Sequence, residues 1–357
     1  MKQQLLIWLA FIASSSAAAE PSLDCRASGS LAVTLNRTQQ SVPLYDRPEC
    51  RRLNAVFDTN AMLNLGDSAK RGETFAAVIA TVRAKLPGAP VGTYIDSSGV
   101  DDPVNGSFSI HDPPRALPVA MFDSSDFVAG QRPYILDLSQ PSVRHRAVNG
   151  IVAEAARRLE QYGVHWIFTD DWGATDPADP SPWPIAIADT LAYMDELTAA
   201  LHARGIRHVP NFRHFVRNPM DSRDLERVAQ ADAIAVEWPF DSRALKTPAD
   251  AARMLKDIAF LSSHNCPPCL LVSSQQQPDS VPEKEVAERQ FLCGCAMLAG
   301  NAFVSWGEWE PLPDCILWPA KLGAPLEPMQ QNGMKISQRF EHGTLTVDFA
   351  ARSASTK

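Results

Sequence analysis

Carboxylates recur in this sequence where short apolar runs end: Asp58, Asp96, Asp137, Asp170 beside Asp171, Glu237, then Glu308 and Glu310. The run Ala233-Ile234-Ala235-Val236 leading straight into Glu237-Trp238 is the clearest case. A carboxylate closing a buried strand is costly unless it is paired, hydrogen-bonded or used. Acids around one cavity are what glycosidic cleavage requires. One carboxyl protonates the leaving oxygen while the other attacks or activates water. Burial raises the pKa of the acid member, so that it keeps its proton near neutrality. Trp172, Trp183, Trp238, Trp306 and Trp309 fall in the same stretches. Flat indole faces match the apolar faces of sugar rings.

Each of these residues also has a plainer role. Asp after a strand commonly caps a helix or turn, and that is the expectation for Asp58, Asp96 or Asp137 taken singly. For Asp170 and Glu237 the expectation is catalysis. Asp137, Asp171, Trp172, Arg213, Trp238, Trp306 and Glu308 are the candidate substrate contacts. Arg213 and its neighbour His214 could hold a sugar hydroxyl, or simply form a surface pair with an acid.

Other chemistries lack their patterns. No two of the eight histidines stand at the spacings common in zinc hydrolases, and no Gly-rich phosphate loop follows a strand. There is no Gly-x-Ser-x-Gly elbow for Ser-His-Asp catalysis. No metal and no cofactor is expected.

The elements that must position these acids are legible from about Arg52 onward, where apolar strands alternate with amphipathic helices. The strands expected are Leu53–Asp58, Pro90–Asp96, Pro133–Asp137, His165–Asp170, Arg207–Asn211, Ala233–Glu237, Cys269–Ser273 and Ala302–Trp306. About eight such strands close a (β/α)8 TIM barrel, so the fold class is α/β. Between them, Phe75, Ile79, Val82 and Leu86 form one helical stripe. Val148, Ile151, Val152, Ala155, Leu159 and Tyr162 form another, opened by Pro141 and stopped by Gly163. Ile187, Leu191, Met194 and Leu201 repeat the spacing before Gly205. Thr247-Pro248-Ala249-Asp250 and Ser280-Val281-Pro282-Glu283 read as capping boxes. The stretch from Ser97 to Arg132 shows no helical stripe and reads as a long loop over the barrel mouth.

The chain starts with Lys2, the apolar run Leu5 to Ile12, and Ala17-Ala18-Ala19 before Glu20. Residues 1–19 are therefore expected to be a signal peptide, giving an exported protein, periplasmic or extracellular. Residues 20–51 form an N-terminal segment, 52–325 the barrel, and 326–357 a C-terminal strand and tail. In that tail Phe340 to Phe349 alternates as a strand outside the barrel. The formal net charge of −8 disfavours nucleic acid and anionic membrane surfaces as partners. Seven cysteines in an exported chain suggest disulfides before metal. Cys25 and Cys50 could close the N-terminal segment. Cys266, Cys269, Cys293 and Cys295 fall at the barrel bottom, away from the acids, which favours structural disulfides over a metal or redox site.

The segments Tyr134-Ile135-Leu136-Asp137 and Gly163-Val164-His165-Trp166-Ile167-Phe168-Thr169-Asp170 carry a resemblance. They resemble the "Tyr-x-x-Asp" and "Gly-x-Asp-Gly-x-Phe-x-Asp" strands of bacterial TIM-barrel glycoside hydrolases near the endo-α-1,4-polygalactosaminidases. The tail from Arg339 to Phe349 is similar to that group's closing "Arg-x-Phe-x-x-Gly-x-x-x-x-Asn" segment. His165-Trp166 stands where the group has Asp-Gly, and Asp348 stands near its final Asn. The resemblance implies that Asp170 is the catalytic carboxylate of the fourth strand and Glu237 the acid/base of the sixth. Strand alternation also favours Asp170 over Asp171, because Phe168 and Asp170 share a face. The expected substrate is a poly- or oligosaccharide. The alternative is a barrel that binds glycans or a partner without cleaving anything.

Overall fold

The computed structural model describes residues 33–35, 55–58, 76, 79–80, 83–84, 91–96, 100–101, 117–118, 121–129, 135–172, 185–212, 220–237, 240, 245–264, 266, 268–272, 282–300, 303–306 and 322–357. At 33–35, 55–58, 91, 94, 96, 100–101, 117–118, 171–172, 212, 237, 268–272, 282–286, 289 and 303–306 it describes the backbone alone.

In chain order the strands are β1 (Val33–Leu35), β2 (Ala55–Asp58), β3 (Val91–Asp96), β4 (Val100–Asp101), β5 (Leu117–Pro118), β6 (Trp166–Trp172), β7 (Arg207–Phe212), β8 (Ile234–Glu237), β9 (Pro268–Val272), β10 (Phe303–Trp306), β11 (Gln330–Asn332), β12 (Lys335–Phe340), β13 (Gly343–Asp348) and β14 (Ser353–Thr356). The helices are α1 (Pro141–Tyr162), α2 (Ile187–His202), α3 (Ser222–Val228), α4 (Pro248–Ser263) and α5 (Pro282–Leu298). Residues 76, 79–80 and 83–84 are also helical. Eight strands form one parallel sheet in the order β1-β2-β3-β6-β7-β8-β9-β10. The outermost two, β1 and β10, also contact each other. Parallel neighbours need long crossovers, and the helices supply them.

Local signals set the helix ends. Pro141 opens α1, and Gly163 closes it at φ 64, its N–H bonding the Leu159 carbonyl. Thr247 and Asp250 form the expected capping box at the start of α4. α2 ends slightly earlier than expected, capped by Ala203, with Gly205 following at φ 69. The stripes predicted for α1 and α2 are buried at Val148, Ile151, Val152 and Ala155, and at Leu191, Met194 and Leu201.

The helices mark one face of the sheet. Ile95, Ile167, Ile234 and Val236 join the core formed with Ile151, Leu197 and Leu255. Two polar clusters are embedded in this layer. Arg158 of α1, fully buried, donates to Thr93 Oγ1 of β3 at 2.7 Å and pairs with Glu154 at 2.7 Å. His208 of β7 lies between the Thr169 and Thr198 hydroxyls, 2.7 Å from each, tying β6 and β7 to α2. Alternate residues Phe168, Val209 and Ala235 are buried on the opposite face.

Several expectations are corrected. Of the strand expected at Pro133–Asp137, residues 133–134 lie outside the described residues, and among those described Leu136 makes an isolated antiparallel bridge with Phe127 and joins no sheet. Its apolar residues Ile135 and Leu136 are buried all the same, so the hydrophobic run was genuine but its pairing was not. The eighth strand is instead β1, paired with β2 from within the segment set before the barrel. The stretch expected as a bare loop contains the parallel pair β4–β5 and a 3-10 turn at Ser124–Asp126. The C-terminal extension is a four-stranded antiparallel sheet, β11-β12-β13-β14, rather than one strand. Cys266 and Cys295 are buried free thiols, not half-cystines, while Cys293 is disulfide-bonded. Burial pushes both thiols well above the usual range, so they behave as small core hydrophobes.

The C-terminal sheet packs on α5. A Cβ on Gly294 would come within 2.7 Å of the Ala354 Cβ and 2.9 Å of Val347 Cγ2, so glycine is what permits the approach. Phe291, Phe349 and Phe240 meet at this junction with ring centroids 5.5–6.2 Å apart. Among the described residues no helix is long and apolar enough to cross a membrane.

Candidate active site

Because the sheet is parallel, its strands all end at one edge, and several of those ends are acidic. β2 ends at Asp58, β3 at Asp96 and β8 at Glu237, while β6 carries Asp170 and Asp171 near its end. Position 96 is the register partner of position 170. Position 58 is the partner of Thr93, a residue of the helix-facing side. It therefore occupies the other face from position 170, and alternation makes it unsuited to the same cavity.

Asp170 shares the face of Phe168, away from the helices. It is half-buried, and the Asn211 amide donates to its Oδ1 at 2.8 Å from β7. A bulge brings the two together. Thr169 pairs with Pro210 and Trp172 with Phe212, so β6 spends one more residue than β7 between those pairs. Pro210 has no N–H to give the ladder, and proline inside a sheet is tolerated chiefly at such irregularities. The extra residue falls at Asp170-Asp171, where a bulge re-aims a side chain. Behind it, on the helix face, the His208 clamp fixes Thr169. Burial, and to a lesser extent His202, pushes the His208 pKa down to about 3, so this ring is a neutral strut.

Asn211 pairs with Ala235 in the register of β7 and β8. Position 237, two residues on, therefore falls on the same face as Ala235, Asn211 and Asp170. One strand separates Asp170 from position 237, which sets their backbones ~10 Å apart at usual strand spacings. Residues on that face at that separation can address one ligand.

The other candidates divide. Asp137 lies in the turn that leads into α1, not at a strand end. Its carboxylate accepts from Ser139 N at 3.2 Å, Ser139 Oγ at 2.5 Å and Gln140 Nε2 at 2.9 Å. The Ser139 hydroxyl, against a smaller opposing effect of burial, holds its carboxyl below the usual range. These bonds close the turn that leads into α1, whose N-cap is Gln140. Asp171 and Trp172 continue β6, and Trp306 ends β10 at the same sheet edge. Arg213, His214, Trp238, Glu308 and Glu310 lie outside the described residues, as do Trp183, Trp309, Cys25, Cys50 and residues 1–19.

Asn211 was missed at the level of sequence. It is neutral, and a neutral amide at a strand end carries no charge signal. The available signal was Pro210-Asn211 closing an apolar strand, since proline there announces an irregular pairing beside a candidate acid.

No family model matches the sequence. No curated protein is similar to it either. Solved structures with some likeness include Aspergillus fumigatus Ega3 in complex with galactosamine. It is 11% identical over 81% of this chain and 96% of that one, with a TM-score of 0.48. GH5_18 from Streptomyces cattleya in complex with GlcNAc is 13% identical over 78% and 70%, with a TM-score of 0.47. An alpha-amylase from Malbranchea cinnamomea is 9% identical over 90% and 84%, also with a TM-score of 0.47.

Proposed function

We propose that this chain is an exported glycoside hydrolase that cleaves O-glycosidic bonds of a poly- or oligosaccharide, its eight-stranded sheet closing as a (β/α)8 barrel. Asp170 is the nucleophile or base and Glu237 the general acid/base. The observation that carries this reading is Asp170 held by Asn211 on the sheet face away from the helices, with position 237 on that same face. The contact between β1 and β10 supports closure. The resemblance of Gly163 to Asp170 to the polygalactosaminidase-like group supports a galactosamine-containing exopolysaccharide as the first substrate to try.

The chemistry uses the chain's own side chains. Glu237 gives its proton to the leaving glycosidic oxygen as the bond from that oxygen to the anomeric carbon breaks. In a retaining course an Asp170 oxygen bonds the anomeric carbon. Water then displaces it and loses its proton to the Glu237 carboxylate. In an inverting course Asp170 takes the proton of a water that attacks directly. Carboxyl groups about 5–5.5 Å apart fit retention and about 6.5–9.5 Å fit inversion. Trp238, next to Glu237, would stack on a sugar ring, whereas register with Phe212 and Val272 sets positions 172 and 306 on the helix-facing side.

The test is to express residues 20–357 and incubate them with galactosamine-containing exopolysaccharide and a broad glycan panel, scoring new reducing ends. Release from at least one glycan is expected, and NMR of the first anomer formed separates retention from inversion. Binding without release across the panel would replace this reading with that of a non-catalytic glycan-binding barrel.

A further inference from the structure

Phe240 is fully buried yet holds φ 61, the left-handed region that bulky residues rarely occupy. It stands three residues after Glu237, so whatever holds Phe240 constrains the exit of β8. Such a conformation persists only where its surroundings over-determine it, and these cluster at functional sites. Its surroundings come from distant parts of the chain. Its N–H points to the Met254 sulfur of α4 at 3.3 Å. Its carbonyl accepts from Arg352 Nη1 at 2.6 Å, and its ring packs on Phe349 and Phe291.

Arg352 is itself locked. Its guanidinium forks onto Glu288 of α5 through Nε, at 2.8 Å, and through Nη2. It also lies 4.6 Å from the centroid of the Phe291 ring. Arg352 immediately precedes β14, in the sheet that Gly294 lets pack on α5. A bidentate arginine has a fixed geometry, so it transmits position as well as charge.

We propose that Arg352, and the C-terminal antiparallel sheet that carries it, is a positioning device for Glu237, acting through Phe240. This rests on the reading of Glu237 as the general acid. The sheet is then a working part of the active site, although none of its strands belongs to the parallel sheet that presents the acids.

The test uses the whole mature chain with Arg352→Lys and Arg352→Ala, assayed well below each variant's thermal midpoint. Misplacing a catalytic group by about 1 Å costs on the order of 100-fold. Arg352→Ala should therefore lower kcat by about 10- to 100-fold with KM nearly unchanged, and Arg352→Lys should lie between it and wild type. Hydrogen exchange at the Phe240 amide should accelerate in Arg352→Ala while β6 and β7 stay protected. Unchanged kcat in Arg352→Ala, or unchanged exchange at Phe240, would overturn the proposal. The exchange measurement needs no substrate. If wild type cleaves nothing, accelerated exchange upholds the clamp while the acid role of Glu237 fails.

Discussion

Asn211 Nδ2 donates to Asp170 Oδ1 at 2.8 Å across the β7–β6 boundary, beside the point where β6 carries one extra residue. A carboxylate gripped at one oxygen has its plane set, and a nucleophile or base works only within a narrow range of approach. The bulge beside Pro210 presents Asp170, and Asn211 holds one of its oxygens. The backbone irregularity and the candidate catalysis are thus one feature.

If the amide orients Asp170, replacing it should reduce turnover more than binding. Asn211→Asp keeps the shape but removes the donor and sets two carboxylates together. Its kcat should fall at least as far as that of Asn211→Ala, on the order of 100-fold for each. Steady-state kinetics on the substrate found for wild type check this, and wild-type kcat in Asn211→Asp would refute it.

His208 should impose a pH slope on stability. Its folded pKa is depressed to about 3, while the unfolded chain titrates near the ordinary 6.5. Between those values the unfolded state binds the extra proton, so stability falls as pH drops from 6.5 toward 3 and is unaffected by this group above that window. The slope from this residue is about 1.4 kcal/mol per pH unit within the window. Denaturant midpoints measured for wild type and His208→Gln should converge as pH falls, because the variant lacks the slope. Parallel curves would contradict the buried, neutral ring.

Gly294→Ala inverts the usual preference. In an ordinary helix interior the change gains up to about 1 kcal/mol. Here the new methyl meets Ala354 and Val347 at under 3 Å. Overpacking of this kind costs roughly 1–3 kcal/mol. The variant should have a lower thermal midpoint and a C-terminal sheet more open to protease, and a raised midpoint would contradict the packing.

Asp137→Ala separates turn bonding from chemistry. Losing these turn hydrogen bonds costs about 1 kcal/mol, so a modest fall in thermal midpoint is expected with kcat and KM little changed. A large loss of activity at full stability would return Asp137 to the substrate contacts.

The sequence made the helices legible because their signals are local. Pro141, Gly163 and the Thr247–Asp250 box act within a turn of their own positions. Strand identity proved less local. Tyr134-Ile135-Leu136-Asp137 and Val33-Thr34-Leu35 differ mainly in which neighbours receive them, and pairing is a tertiary matter. One gain and one loss left the strand count at eight and Asp170 on the fourth strand. Beyond residue 326, only the alternation of Phe340 to Phe349 was strong enough to read. β11 is exposed along its length and β14 mostly so, hence neither shows an apolar face. Asp170 was legible from alternation with Phe168, whereas Asn211 was not, because an uncharged amide signals nothing until its partner is placed.

The most direct test of the account is the turnover of Asp170→Asn on the glycan that wild type cleaves. Asn keeps the size of the side chain but can neither attack nor take a proton. Hydrolysis should fall by at least about a thousandfold, with the thermal midpoint nearly unchanged. Wild-type hydrolysis by a well-folded Asp170→Asn would contradict it.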